Sequence, residues 1–255
     1  MIIDSFSYNG EIEALKVRLY ELFDIVDKFI IVESCYTFSG IKKELKFPEQ
    51  KDSIDEKFLK KIKYIIYDEF DINDDAWERS RKQKNGVYYL GIINLNLKDD
   101  DYIIYSDADE IPNSEDIKKL IQDNVASCQF NPHWFNFNIE NYLRRWQHYS
   151  IWLFKYKIIK QYIDITNNIR KIPCLRFKNI SGWHLSYFVS PEEILNKLKS
   201  YEHYKDEKDL FVQEKGIPYI KEKIKEGGEL FGSSTKRSFE DKLPKYYNDH
   251  DSTIS

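Results

Sequence analysis

The stretch Tyr102-Ile-Ile-Tyr-Ser-Asp-Ala-Asp-Glu-Ile-Pro112 constrains this chain more than any other. Tyr102 to Ser106 is a short apolar run of aromatic and β-branched residues, entered from the solvated acids Asp99, Asp100 and Asp101. That composition predicts a buried strand rising from a polar turn. Asp107, Asp109 and Glu110 follow at once, and Pro112 stops the strand from continuing as an interior one. In open α/β sheets, ligands bind just beyond the carboxyl ends of strands. Carboxylates gathered there repel one another by roughly 1 to 4 kcal/mol per close pair, depending on the local dielectric. A hard divalent cation relieves that repulsion, and oxygen ligands suit Mg²⁺ or Mn²⁺. A solvated acidic turn is the plainer reading of any Asp-x-Asp. Its place directly after a buried strand favours the metal.

Strands and helices alternate through the first half. Met1 to Ser5 is a short strand, followed by turn residues Tyr8-Asn-Gly10. Glu11 to Phe23 is an amphipathic helix with Ile12, Leu15, Leu19 and Leu22 on one stripe. Lys28 to Val32 is a second strand ending in Glu33-Ser34, and Ile62 to Tyr67 a third. Trp77 to Leu97 suits a long helix before the fourth strand, Tyr102 to Ser106. The alternation predicts an α/β fold with a mainly parallel central sheet flanked by helices. Ser114 to Ile121 reads as a helix with Ser114 as N-cap. Ser190 and Glu193 form a capping box opening a helix to Lys199. Asp206 to Glu226 is helical with interruptions at Gly216 and Pro218, and Gly227-Gly228 ends it. No repeat or linker divides the chain, so residues 1–247 are expected to form a single domain and 248–255 a disordered tail.

From Ala126 to Phe177 the pattern turns aromatic and basic, with Trp134, Trp146 and Trp152 interleaved among Arg144, Arg145, Lys155 and Arg176. Such a segment serves as core with a solvated face, as a platform for sugar rings, or as a nucleobase stack. Charge argues against the last. Lys and Arg (39) nearly balance Asp and Glu (43), so no strong field favours nucleic acid or an anionic membrane. Cys35, Cys128 and Cys174 are scattered, odd in number and without metal-type spacing, as in a reduced cytoplasmic chain. No apolar run is long enough for a membrane span, and the N-terminus lacks a signal-peptide pattern, so a soluble or cytoplasmic protein is expected.

Several segments together resemble glycosyltransferase family 17. They are Glu11 to Leu22, Val26-Asp27, Ile31-Val-Glu-Ser34, Thr37-Phe-Ser-Gly40 and Leu45-Lys-Phe47 in the first part. Asp99 to Asp101 and Ser106-Asp-Ala-Asp-Glu-Ile-Pro112 carry the centre. Gly182-Trp-His184, Gly227-Gly228 with Phe231, and Pro244-Lys-Tyr246 carry the end. The family often has Trp-Glu-x-Glu followed by Gln-Arg, where this chain has Trp77-Glu-Arg-Ser80 and Gln83-Lys84. Its middle region is shorter than in the animal enzymes, and no counterpart of their membrane anchor is expected.

The resemblance implies a GT-A-type nucleotide-sugar-binding fold and an inverting transfer from a UDP-sugar, with UDP-N-acetylglucosamine as donor and a glycan or glycoconjugate as acceptor. The residues fit that chemistry. An anionic diphosphate cannot sit beside Asp107 and Asp109 without a bridging cation, which would neutralise the departing UDP. Asp109 is the expected metal ligand, joined by Asp107 and His184, although Asp107 serves equally to bind the ribose. Glu33 and Lys84 are expected at the nucleotide sugar, and Arg144 and Trp146 at the acceptor. Inversion needs a base for the acceptor hydroxyl, and Glu192, at a helix start after the Trp-His strand, and Glu110 are the candidates. Glu110 serves equally to brace the metal loop. Two rival classes share features: a sugar-phosphate nucleotidyltransferase, which should carry a Gly-rich loop where Asp4-Ser-Phe-Ser-Tyr8 has none, and a non-catalytic glycan-binding module.

Overall fold

The computed structural model describes residues 1–143, 147–162, 164–232 and 236–249. In chain order the elements are β1 (Ile2–Tyr8), α1 (Ile12–Leu22), β2 (Lys28–Ser34), α2 (Lys46–Gln50), α3 (Glu56–Leu59), β3 (Ile62–Tyr67) and α4 (Ala76–Gly86). Then come β4 (Tyr102–Tyr105), β5 (Glu110–Ile111), α5 (Ser114–Gln122), β6 (Ser127–Asn136), β7 (Tyr142–Leu143) and β8 (Ile151–Lys155). The last are α6 (Tyr156–Ile159), α7 (Ile165–Asn168), β9 (Leu175–Ser186), α8 (Pro191–Ser200), α9 (Glu207–Glu226) and α10 (Lys245–Asp249).

One sheet runs in the order β3-β2-β1-β4-β8-β6-β9-β5, with β7 on β6. The first four strands are parallel, as their alternation with helices requires. β8 opposes both β4 and β6, and β6 is parallel to β9, so β6 and β9 point the same way as β1 to β4. Short β5 and β7 run against their neighbours. The sheet is thus mixed in pairing, yet most of its length shares one direction and its carboxyl ends open at one edge.

Alternation within the strands builds a core on each face. Phe6, Phe29, Ile31, Tyr102 and Ile104 pack toward α1. Ile3, Ile30, Val32, Ile103 and Tyr105 pack against the other layer, where Val87 to Ile92 continue α4 as a π-helical turn. Both faces are covered, which is why these strands read as continuous apolar runs. The long helix expected to Leu97 therefore regularises only to Ile92. Three further boundaries move. The first strand continues to Tyr8. The N-cap of α5 is Asn113, whose side chain accepts from Glu115 N and Asp116 N, while Ser114 N donates to the buried Glu21. Asn248 and Asp249, expected in a tail, close α10, and 250–255 lie outside the described residues. The capping box of Ser190 and Glu193 forms as expected.

The acidic loop after β4 is held from beneath by Arg18, which is fully buried in α1. Its Nε and Nη2 form a two-pronged pair with Asp4 of β1 at 2.7 and 2.6 Å. Nη2 also donates to Ser106 Oγ at 2.9 Å, and Nη1 to the carbonyls of Asp107 and Glu110 at 2.8 and 2.9 Å. Every guanidinium N–H is used, which is the condition under which a buried charge is tolerable. Removing one partner leaves the other charged and unpaired. Arg18→Ala should lower the unfolding free energy in a denaturant titration by about 3–5 kcal/mol. A loss within experimental error would mean that the loop holds itself.

Candidate functional site

The co-directed strands end around one cavity of about 280 Å³. Ser7 and Tyr8 reach it from β1, Ser34 from β2, Tyr67 from β3, Trp134 from β6, and His184 and Ser186 from β9. Asp107, Ala108 and Asp109 enter from the loop after β4. This is where an α/β sheet of such polarity binds ligands.

Strand register assembles the acidic side. Glu110 of β5 is paired with His184 of β9, which is also in register with Trp134 of β6. Leu185 N donates to the Asp109 carbonyl at 2.8 Å, fixing the loop to β9. His184 thereby sits with Nε2 3.7 Å from Asp109 Oδ2 and Nδ1 3.8 Å from Glu110 Oε1, its ring 4.0 Å from that of Trp134. Gly182 makes the approach possible. It has φ +86°, and a Cβ there would lie 2.5 Å from the Ile111 carbonyl oxygen.

Two lysines complete the charge pattern. Lys84 Nζ lies 3.0 Å from Asp107 Oδ1. Lys197 Nζ, from α8, lies 3.4 Å from Asp109 Oδ2 and 3.7 Å from Glu11 Oε1. Burial pushes the Asp109 carboxyl up, but Lys197 and His184 outweigh it and hold the group well below the usual carboxylate range. Burial likewise opposes the charge on His184, and Asp109 overrides it to raise the imidazole above its ordinary value. Glu110 goes the other way. Burial and then the charge of Asp107 push its carboxyl up to about 7.

Among the described residues no group of three His, Cys, Asp or Glu side chains is set to hold a metal. Asp109 and His184 do offer a pair: ligands about 2.1 Å from one small divalent ion sit roughly 3 to 4 Å apart, and Oδ2 and Nε2 are 3.7 Å apart. Mg²⁺ is commonly held by one or two protein carboxylates with substrate phosphates supplying further ligands. The residues therefore fit a cation that arrives with, or is completed by, an anionic substrate. Asp107 faces the cavity but belongs to Lys84.

The other expected site residues divide sharply. Lys84 is in the cavity. Glu33 is fully buried and does not line it: its carboxylate takes Lys43 Nζ at 2.8 Å, Lys46 N at 2.6 Å, Phe47 N at 3.0 Å and Tyr64 OH at 2.9 Å. With both oxygens engaged it anchors the start of α2 instead of facing the cavity. Glu192 is on the exposed surface of α8, 3.9 Å from Lys221, and is no base for this cavity. Glu110 lies behind the cavity wall and accepts from Asp107 N at 3.2 Å, so it braces the loop. Arg144 and Trp146 lie outside the described residues. Of their aromatic neighbours, Phe130 and Phe135 are core, Trp152 packs against Tyr105, and Trp134 alone of these reaches the cavity. Sequence reasoning missed Glu11, Lys197, Tyr201 and Glu202, which also line it. The capping box sets the phase of α8, which turns Lys197 inward, and Tyr201, the residue that caps the helix end, reaches the cavity beside it.

A mixed α/β sheet with an acid–histidine pair at its carboxyl edge is the class of site that emerges. The sequence profile of Glycosyltransferase family 17 matches residues 1–249, and the chain belongs to that family. Two proteins named beta-1,4-mannosyl-glycoprotein 4-beta-N-acetylglucosaminyltransferase, from Rattus norvegicus and Homo sapiens, are each 27% identical over 273 aligned residues covering 91% of this chain. It spans about half of their length, 48% and 49%. A crystal structure of 4-diphosphocytidyl-2C-methyl-D-erythritol synthase superposes with a TM-score of 0.40 at 14% identity, covering 77% of this chain and 95% of that one. No helix among the described residues is long and apolar enough to cross a membrane.

The Glu110 environment has a consequence for stability. In an unfolded chain a glutamyl carboxyl titrates at about 4.3. Folding raises it to about 7, so its contribution is complete below the unfolded value and is lost as pH rises through the folded one. Without added divalent cation, the wild type should lose stability relative to Glu110→Gln between about pH 4.3 and 7 in denaturant titrations. Parallel curves across that window would show that Glu110 is not protonated in the fold.

Proposed function

We propose that the chain is an inverting glycosyltransferase that moves N-acetylglucosamine from UDP-N-acetylglucosamine to a glycan acceptor, with Mn²⁺ or Mg²⁺ at the donor diphosphate. Family membership supports the reaction class, and the names of the mammalian relatives support the sugar. The observation that carries the reading is the Asp109–His184 pair facing a cavity into which Lys84 and Lys197 also project. An anionic donor needs that balance of charge, whereas a non-catalytic glycan-binding module has no use for it.

Asp109 and His184 would hold the cation, which when bound supplies Lewis-acid neutralisation of the departing diphosphate. Lys84 steadies Asp107 at the donor side. The ends of β1 and β2, with Tyr36 to Phe38 beyond them, form the wall for the nucleoside. Trp134 offers the acceptor side an aromatic face, against which the apolar C–H face of a sugar can stack. The base that accepts the acceptor proton must reach the cavity, and outside the acidic loop its carboxylates are Glu11 and Glu202.

Asp109→Asn, which keeps the shape of this buried side chain, should weaken Mn²⁺-dependent UDP binding by more than about tenfold, since even outer-shell losses cost 10–100-fold in metal affinity. UDP binding that survives excess chelator, or persists in the variant, would end the metal-dependent reading. Metal-dependent hydrolysis that clearly favours UDP-glucose or UDP-galactose would overturn the donor sugar and leave the reaction class standing.

A further inference from the structure

Resting on that function, we propose that Lys197 is a displaceable counter-ion: it occupies the Asp109 carboxylate in the free protein and passes to the donor diphosphate when cation and nucleotide bind together. The geometry of its contacts suggests it. Arg18 shows how this fold builds a permanent ion pair, with contacts of 2.6 and 2.7 Å to Asp4 and every N–H bonded. Lys197 is held differently. Its ammonium stands 3.4 Å from Asp109 Oδ2 and 3.7 Å from Glu11 Oε1, at the long end for ion pairs, and it faces the cavity. The ring of Tyr187 also lies near it, 5.7 Å away. A lysine is a compact charge on a flexible stem, suited to changing partners.

The Asp109 oxygen that Lys197 contacts is also the one facing His184 Nε2. A divalent ion between those two ligands would stand close to the ammonium, and like charges repel. Cation and lysine therefore compete for Asp109. A diphosphate ends the competition, because its oxygens can accept the ammonium while completing the ion's coordination. Metal affinity of the free protein is thereby kept low, and coupling to the nucleotide is reciprocal. Once moved, Lys197 adds a positive charge beside the leaving UDP.

The test is the binding of Mn²⁺, counted by electron paramagnetic resonance of the free ion, with and without UDP. The wild type should bind Mn²⁺ alone weakly and at least about tenfold more tightly with saturating UDP. Lys197→Met, which keeps the stem and removes the charge, should bind Mn²⁺ alone about tenfold more tightly than the wild type and UDP more weakly, so that the coupling shrinks. A merely structural lysine would weaken both when removed. Lys197→Met binding Mn²⁺ alone no better than the wild type, or UDP undiminished, overturns the proposal. Lys197→Gln provides the same comparison if the Met variant does not fold. A wild type that takes up no Mn²⁺ even with UDP present refutes the metal reading of the function itself, which is a different result.

Discussion

Arg18 is the constraint on which the site depends. It arrives on α1, takes charge balance from Asp4 on β1, and gives its remaining donors to the Ser106 hydroxyl and the backbone carbonyls of the loop after β4. Three separate elements are thereby locked to one planar group, with no carbonyl of that loop forced to find water in the interior. The carboxylates of Asp107 and Asp109 are then free to point outward, since their own backbone is satisfied from below. A loop with two acids side by side would otherwise relax away from its own repulsion. Phe6 lies against the guanidinium, 4.3 Å from its ring centre, and seals that anchor from solvent.

From the other side β9 completes the loop. Gly182 lets the strand pass close to Ile111, the β5–β9 register sets His184 opposite Glu110, and Leu185 N ties down the Asp109 carbonyl. Trp183, between Gly182 and His184, turns to the opposite face and is buried in a third core with Ala14, Val17 and Phe135. Its indole N–H donates to the Lys242 carbonyl at 3.0 Å. The three residues of Gly182-Trp-His184 thus have separate physical tasks: close passage, anchoring, and placing an imidazole beside Asp109 at the cavity.

The strand ends and the acidic loop were legible because they obey local rules. An apolar run of alternating placement must be buried, and acids after it must sit at its carboxyl end. The same rules could not see partners. Glu33 looks, from sequence, like an acid at a strand end and therefore like a ligand-binding group; only the fold shows that Lys43, the start of α2 and Tyr64 consume it. Glu192 follows the right strand, but its position in α8 turns it to solvent, while Lys197 on the same helix turns inward. Glu11 was read as an ordinary helix start, and its place at the cavity follows from where β1 ends. Ser114 gave way to Asn113 as a cap: the Asn113 side chain takes the Glu115 and Asp116 amides, while the Ser114 hydroxyl accepts from Lys245 Nζ at 2.7 Å.

The wall opposite the acidic loop has a different physical basis. α8 and α9 pack on one another around Ile194, Leu198, Val212 and Ile220, a core separate from those of the sheet. Among the described residues its ties to the body near the cavity include Ser39 N to the Ser200 carbonyl at 3.0 Å, Ser80 Oγ to Glu202 at 3.4 Å, Lys197 to Asp109 and Glu11, and the edge of Trp77 against His203 at 4.7 Å. Tyr201 lines the cavity with its hydroxyl turned back onto Asp209, so the pair aims the ring while staying within the helical unit. Regions joined by polar contacts and stabilised by their own core open more readily than the parts of a continuous one. The loop that carries the charge is anchored by Arg18 and β9, whereas the wall that carries Lys197 meets it partly through polar contacts, the kind for which a charged ligand competes. That difference is what the proposed exchange of Lys197 between the Asp109 carboxylate and a donor diphosphate would draw on.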